Sequence, residues 1–512
     1  MRIKKVKINN FKFHHDLAFE LDNQNCLIYG ENGTGKSSIY WALYSVFKCY
    51  FRNEQYDFNL YKNQTATTDL SVNITIDNKE LSIPQASYKL PLEINKNNYS
   101  SIYFVNQDLL NELTNNDTDF YPIILKYLKK YFTQFYDFDQ RYQELNSSLD
   151  NTNFDIKNTE KDVIDTEYKT YIEEKMLPLV NTILSDKLHE EYTVEMEFMG
   201  SVFDIDNYKF PNPKIIFTIN NQVNLKISFN EAKLKLASIA IFFALMKLEE
   251  DEDNVLKLLV LDDFLTSLDM ANRKLIVQYI LEEFGSYQKI ILTHNIQFYN
   301  LIIKLLSLRK EQGIWDIKKL FLTEVSGETS SEIRNEKSFL DKAKERMDEG
   351  DLQSSGNFLR KEFERIVHEF EILLELGKVE DMSNILDVLK EVRIYYPKPN
   401  DTLNSFVNSL ERILDLNIND DIKLVRIGEK ILKIKDCKID LNRVITLEDG
   451  TVEHQTLLLS LQTTNFYNGI LLNPLSHNDE EIEAYRKECK DIIVLLTNLN
   501  KGLAHLKGKK FD

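Results

Sequence analysis

Gly30-Glu31-Asn32-Gly33-Thr34-Gly35-Lys36-Ser37 fits the pattern G-x-x-x-x-G-K-[ST]. The run before it, Cys26-Leu27-Ile28-Tyr29, is apolar, and the run after it, Ser38-Ile39-Tyr40-Trp41-Ala42-Leu43, is compatible with a helix. Strand, glycine-rich loop and helix in that order are the context the pattern requires. Glycines let successive N–H groups turn inward and form an anion nest at a helix N-terminus. Gly30, Asn32, Gly33, Gly35 and Ser38 would frame the nest. Lys36 would reach the β- and γ-phosphates of ATP, and the Ser37 hydroxyl would ligate Mg2+. The plainer alternative is a glycine-rich turn that merely caps a helix. All four fixed positions, matched in this context, speak against it.

The chain has 512 residues, room for roughly two to four domains of about 100–200 residues each. Hydrophobic residues make up 43% and charged residues 28%, a balance that folds around cores. Cys26, Cys49, Cys437 and Cys489 form no C-x-x-C pair, so neither a zinc site nor a disulfide framework is expected. The N-terminal Met1-Arg2-Ile3-Lys4-Lys5-Val6 leads into a strand-like pattern, and no apolar run approaches the roughly 20 residues that span a bilayer. A cytoplasmic protein is expected. A net charge of −18 disfavours nonspecific nucleic-acid binding by the whole surface. It leaves local basic clusters open at Lys126-Lys129-Lys130, Lys304-Arg309-Lys310 and Lys501-Lys507-Lys509-Lys510, although such clusters are usually solvated faces.

Residues 1–117 read as strand, turn, strand, phosphate loop and helix, followed by a strand at 70–76, a turn at Asp77-Asn78 and a buried strand at Ser101–Val105. Residues 118–190 read as a short helical hairpin. Residues 191–334 return to β-like alternation at Tyr192–Phe203 and Lys214–Ile227, then an apolar helix at Ala237–Leu248. Strands follow at Leu256–Leu261, Lys289–Leu292 and Lys319–Glu324, the first typical of a parallel strand buried on both faces. Residues 335–512 read as mostly helical and charged, with weak strand patterns near Leu432–Ile445. The fold class is α/β with a largely α-helical C-terminal domain.

The loop needs partners, and they lie far downstream. Leu258-Leu259-Val260-Leu261-Asp262-Asp263 is an apolar strand ending in two carboxylates. Asp262 can hold Mg2+ or its water shell, and Asp263 can orient and polarise an attacking water. Thr266-Ser267-Leu268-Asp269 follows, and a further strand ends in Thr293-His294-Asn295, where a γ-phosphate sensor is expected.

Together these motifs resemble the ABC-type ATPase heads of the SMC/RecF group. The Asp-Asp pair, Ser-Leu-Asp and T-H-N-x-x-F, in that order, look most like the ATPases of the phage-exclusion anticodon nucleases and their relatives. The resemblance covers about 1–110 and 190–325, with the helical hairpin in place of a long arm. It implies an ATPase that sandwiches two nucleotides between two copies, a homodimer or a higher even-numbered oligomer. Val105-Asn106-Gln107-Asp108 resembles the Q-loop and places Gln107 near metal and water, while Asp269 belongs to the D-loop. The motif that contacts the partner's γ-phosphate is expected in Ser228-Phe229-Asn230-Glu231-Ala232-Lys233-Leu234. There Asn230 replaces the usual serine and Ala232 the glycine. An Asn amide can still donate to phosphate, and Asn230 also suits a helix N-cap. Many such heads carry glutamate where Asp263 stands. Aspartate is shorter by about 1.5 Å, and a misplacement of about 1 Å can cost on the order of a hundredfold in rate. Slow hydrolysis is expected, which suits a switch better than a motor.

In the last third, Phe358, Leu359, Phe363, Ile366 and Val367 share one face of an amphipathic helix. This helix and Asn473-Pro474-Leu475-Ser476-His477-Asn478 before a final helix resemble HEPN-like domains, which cleave RNA in the anticodon-nuclease relatives. The arginine–histidine spacing of the active form is missing. Seven residues separate Arg360 from His368 and two separate Arg365 from His368, His477 has no arginine just upstream, and Asn500 stands where an arginine would precede His505. Arg360 with Glu364 and a distant His477 is the remaining catalytic arrangement, and a surface salt bridge is the plainer reading of the first two. The resemblance therefore implies a partner-docking domain in an ATP-driven switch of bacterial anti-phage defence, acting on a separate nuclease or toxin effector. Two alternatives stay open: an ATP-gated RNase within the same chain, and a RecF/SMC-like DNA-repair ATPase.

Overall fold

The computed structural model describes residues 1–52, 56–91, 101–113, 119–150, 152–222, 225–309, 311–325, 328–335, 338–374, 394–395, 399–436, 439–440, 444–446, 452–472 and 485–508. The chain divides into two compact units, Met1–Glu336 and Lys337–Asp512.

The first unit holds two main sheets. One is antiparallel, ordered β2-β1-β4-β5 from β1 (Ile3–Phe11), β2 (His14–Glu20), β4 (Ser71–Ile76) and β5 (Lys79–Ile83). The other is ordered β12-β11-β3-β10-β9-β6 and is built from β3 (Asn25–Gly30), β6 (Ile102–Asn106), β9 (Leu258–Asp262), β10 (Gln288–Thr293), β11 (Trp315–Val325) and β12 (Glu328–Asn335). Five of its strands run parallel, and β12 pairs antiparallel with β11 at the edge. Every residue of β9 and β10 is buried, as expected of parallel strands covered on both faces.

Helix α1 (Lys36–Arg52) touches strands of both sheets. Tyr40, Tyr44 and Phe47, spaced at four and three residues, share one face and meet Phe104 of β6 at centroid distances of 5.6, 5.3 and 5.9 Å. After β6 come α2 (Gln107–Leu113) and α3 (Tyr121–Lys126). Helices α4 (Thr133–Ser147) and α5 (Phe154–Lys169) form the hairpin, closed by rings such as Phe138 on Tyr168 at 4.2 Å. The chain continues through α6 (Leu177–Thr182), flanked by π-helical turns. A two-stranded ribbon of β7 (Val194–Met199) and β8 (Lys214–Ile219) leads to the single turn α7 (Leu225–Ser228). Next is α8 (Glu231–Leu248), whose stretch from Leu234 to Met246 is buried on all sides. Helices α9 (Met270–Glu283) and α10 (Ile296–Arg309) follow β9 and β10.

Two expectations change here, and one strand is added. The strand expected over Lys214–Ile227 stops at Ile219, because Asn220 and Asn221 adopt left-handed φ of 48° and 58° and turn the chain. The sequence pattern assigns no element to Glu328–Asn335, which forms β12; it is polar and sits at a sheet edge, so no apolar alternation marks it. The strand pattern expected near Leu432–Ile445 is helical through Asp436, and short strands appear at Ile439–Asp440 and Val444–Thr446.

The second unit is largely helical, comprising α11 (Phe339–Asp348), α12 (Leu352–Leu374), α13 (Pro399–Leu414), α14 (Asp420–Asp436), α15 (Leu457–Tyr467) and α16 (Arg486–Gly508). Leu359, Phe363, Ile366 and Phe370 of α12 and Cys489, Ile492, Leu496, Leu499 and Leu503 of α16 repeat every three or four residues and join one core. Phe358 and Val367 pack at its margin, as their place on the amphipathic face implied. Among the described residues, Cys26, Cys49 and Cys489 are buried and form no disulfide, and no helix is long and apolar enough to cross a membrane.

One charged group sits inside that second core. Glu362, 2% exposed, accepts hydrogen bonds from Arg365 Nε and Nη2 at 3.0 and 2.8 Å and from Asn500 Nδ2 at 2.6 Å. Burial opposes its ionisation, but these donors outweigh burial and hold its carboxyl below the usual range. Arg365 also pairs with Glu369 and is partly exposed, so removing Glu362 does not strand a fully buried charge. Glu362→Ala is expected to cost about 2 kcal/mol. It should speed amide hydrogen exchange along α12 and α16; unchanged protection in both helices contradicts this role.

Candidate functional site

Parallel pairing brings four strand ends side by side. In register, Asn106 lies opposite Asp262, Asp262 opposite Leu292, and Thr293 opposite Tyr29, the residue before Gly30. Ligands bind at this carboxyl edge in open α/β sheets.

The phosphate loop runs from Gly30 at the end of β3 to Lys36 at the start of α1. Gly33 and Gly35 hold φ of 84° and 92°, which turns the intervening N–H groups inward. A Cβ on Gly35 would lie 2.6 Å from His14 Cε1 and 2.7 Å from Phe13 Cδ1. Lys36 is 5% exposed, and its Nζ donates to the loop's own carbonyls, Gly30 O at 2.8 Å and Glu31 O at 2.9 Å. Burial lowers its pKa, and Asp263 and Asp262 work in the opposite direction. Asn32 and Ser37 are exposed. Ser38 is buried, with its Oγ 3.4 Å from the Phe13 N–H that it accepts.

Asp262 is the electrostatic centre. It is 6% exposed, and its carboxyl is pushed up to about 6, chiefly by burial and further by Asp263, against the Ser37 hydroxyl bond, Lys36 and His294. Its Oδ1 is buried with no hydrogen-bond partner among the described residues. An orphaned carboxylate oxygen beside a serine hydroxyl is the donor set a hard cation takes. Among the described residues no group of three or more His, Cys, Asp or Glu could hold a metal alone. That fits Mg2+, which is commonly bound by one or two protein oxygens together with substrate phosphates.

Asp263 and His294, expected as separate base and sensor, are joined. Asp263 has a left-handed φ of 45°, and its N–H donates to Leu292 O at 3.0 Å. Its Oδ1 accepts from the His294 backbone N–H at 2.9 Å. Its Oδ2 lies 2.9 Å from His294 Nδ1; that contact is electrostatic, since the ring nitrogen is off the line of a hydrogen bond.

Gln107 opens α2 next to Asn106, and its Oε1 accepts from Thr266 Oγ1 at 2.7 Å. Asn230 and Asp269 are engaged with their own helices. Asn230 Oδ1 caps α8 by accepting from Lys233 N at 2.9 Å, and Asp269 Oδ1 caps α9 by accepting from Asn272 N at 2.8 Å. Both caps are exposed. In the second unit, Arg360 Nε donates to Glu364 at 2.9 Å and His368 is exposed on the same helix, while His477 lies outside the described residues.

Sequence reading missed His14 and Lys235. His14, 1% exposed, links Gly35 O at 2.9 Å through Nε2 to Ser331 Oγ of β12 at 2.6 Å through Nδ1. A carbonyl only accepts, so Nε2 carries the proton and Nδ1 receives the serine hydroxyl. Burial pushes its pKa down to about 4. Lys235, 2% exposed, donates to Ser267 Oγ at 3.1 Å. A lysine between Leu234 and Leu236 at the head of an apolar run was the available sign.

Residues 2–315 match the family described as the RecF/RecN/SMC N terminal domain, and the chain belongs to that family. Its members are ATPases that bind ATP, usually with Mg2+. A 44-residue stretch is 41% identical to the DNA replication and repair protein RecF of Chlorobium luteolum, covering 9% of this chain and 12% of that one. The RecF of Clostridium botulinum is 24% identical over 330 residues, 55% of this chain and 90% of that one. Among solved structures, an SMC head bound to the C-winged helix domain of ScpA aligns at TM-score 0.40 and 14% identity, covering 67% of this chain and all 100% of that one. A RecF–ATP structure aligns at 0.38 and 14%, covering 57% and 93%.

Two outcomes are expected from the loop's packing. Gly35→Ala should lose nucleotide binding, since it combines a forbidden φ with overlap on two rings; retained affinity contradicts the packing. His14 titrates near 6.5 unfolded and at about 4 folded, so its contribution is present above pH 6.5 and lost as pH falls towards 4. Over that window the wild type should lose about 3 kcal/mol more stability than His14→Gln. Parallel denaturation profiles for the two proteins contradict this.

Proposed function

We propose that this chain is an ATP-driven switch, a head that binds ATP and Mg2+, pairs with a second copy across the nucleotides, and hydrolyses slowly to reset. The observation that carries the reading is the buried Asp262 carboxylate. Its Oδ1 lacks a partner, while Ser37, Lys36, Asp263 and His294 converge on it.

Lys36 supports the reading because its ammonium is already placed at the loop, where it donates to carbonyls that phosphate oxygens can replace. Ser37 and Asp262 would hold Mg2+, with Gln107 beside them. When bound, the ion supplies charge neutralisation at the β- and γ-phosphate oxygens. Asp263 takes the proton of a water that attacks the γ-phosphorus, and ADP leaves. His294 orients that carboxylate, engaging both of its oxygens. A base so engaged and so short turns over slowly. Asn230 and Asp269 sit on exposed caps, suited to reach the nucleotide of a second copy.

The second unit begins after the family match ends at residue 315. We assign it the output, a HEPN-like helical platform that docks a separate nuclease or toxin of an anti-phage system. Arg365 is neutralised by Glu362 and Glu369, which favours docking over RNA cleavage. One observation favours a second reading, a RecF-like DNA-repair ATPase: the 24% identity spans 90% of the Clostridium botulinum RecF. ATP-dependent binding of gapped DNA by the purified chain would select that reading, and cleavage of tRNA would select an intrinsic RNase.

Asp263→Asn is expected to bind ATP normally, lower hydrolysis by about 10²–10⁴-fold and accumulate as an ATP-bound dimer in light scattering. A monomer–dimer balance unmoved by ATP in this variant contradicts the switch.

A further inference from the structure

The loop between β9 and α9, residues 263–269, is tied to two different parts of the head through neighbouring residues. Thr266 Oγ1 donates to Gln107, the residue after Asn106, which pairs with Asp262 across β6 and β9. Ser267 Oγ receives Lys235 Nζ, which stands five residues past the Asn230 cap on α8. The same loop is braced from behind, because Arg273 Nη2 donates to Thr266 O at 2.9 Å and its guanidinium lies 5.8 Å from the Phe298 ring. Phe298 N in turn donates to Asn295, the residue after His294. Phe264, Leu265 and Leu268 are buried and anchor the loop to the core.

Lys235 is an expensive group to keep here. A buried amino group costs free energy unless it is hydrogen-bonded, and among the described residues its hydrogen-bond acceptor is the Ser267 hydroxyl. Glu231 on the same helix favours its charged form, while Arg273 and burial oppose it. Methionine or leucine would fill the position without that cost, as they do elsewhere on α8.

We propose that Lys235 is a positioning residue that couples the metal end of one copy's nucleotide to the α8 cap that meets the partner's nucleotide. When Gln107 shifts toward bound nucleotide, Thr266 follows, Ser267 moves with it, and Lys235 carries the N-terminal turn of α8 and Asn230. The inference rests on the dimeric ATP switch reading and adds the physical link between its two sites.

Lys235→Met and Ser267→Ala test it. Affinity for a fluorescent ATP analogue, hydrolysis against ATP concentration, and dimerisation are read for each. Lys235→Met is expected to bind nucleotide within about twofold of wild type, since it removes no group from the loop at 30–37. Its hydrolysis should fall at least about tenfold, and its Hill coefficient from about 2 towards 1. Ser267→Ala should act in the same direction, and the double variant should be no worse than Lys235→Met alone. Should Lys235→Met fail to fold, Ser267→Ala alone carries the same readout. Wild-type cooperativity in either single variant, or fully additive losses in the double, overturns the proposal. A wild-type chain that binds ATP but never dimerises overturns the switch reading as well.

Discussion

Parallel registration of β3, β10, β9 and β6 is the constraint on which the site depends. It places the ends of four buried strands at one edge, so that Gly30, Asn106, Asp262 and Thr293 become neighbours although the chain separates them by up to 263 positions. Each strand then delivers its next residues to the same place: the phosphate loop, Gln107, Asp263 and His294. A slip of one residue in any pairing would reverse which side chains face the edge.

Charge at that edge is concentrated in a place where water is scarce. Asp262 and Lys36 are both buried, both shifted towards their neutral forms, and mutually stabilising. Neither is satisfied by the protein as a free phosphate site would satisfy it. Lys36 rests on carbonyl oxygens, and among the described residues one oxygen of Asp262 has no donor. Such tension marks functional sites, because structural charges are normally paired. His14 handles the opposite problem. Burial keeps its ring uncharged, so it bridges Gly35 to β12 without adding a positive charge behind the nest.

Legibility in the sequence followed the range of the physics involved. The loop at 30–37 was readable because glycine, lysine and serine act locally and in fixed order. Asp262-Asp263 was readable because an apolar strand announces its own carboxyl end. The hairpin turn at Asp77-Asn78 and the apolar face of α12 were readable by period. The Asp263–His294 contact was not, since it needs β9 and β10 paired first. His14 and Lys235 were missed for the same reason: their partners, Ser331 and Ser267, lie 317 and 32 positions away. Asn230 was read for phosphate and for capping; the cap is a local hydrogen bond within one chain, whereas a phosphate contact would need a second chain.

The central claim is that each nucleotide site is completed by a second copy, with the loop at 30–37 from one chain and Asn230 from the other. Complementation measures it most directly. Chains carrying Lys36→Ala and chains carrying Asn230→Ala are each made alone and then mixed in equal amounts. Each is expected to be inactive by itself. In a mixed dimer one site has both intact halves, so hydrolysis should return towards about a quarter of the wild-type rate. A mixture as inactive as its components contradicts the composite site.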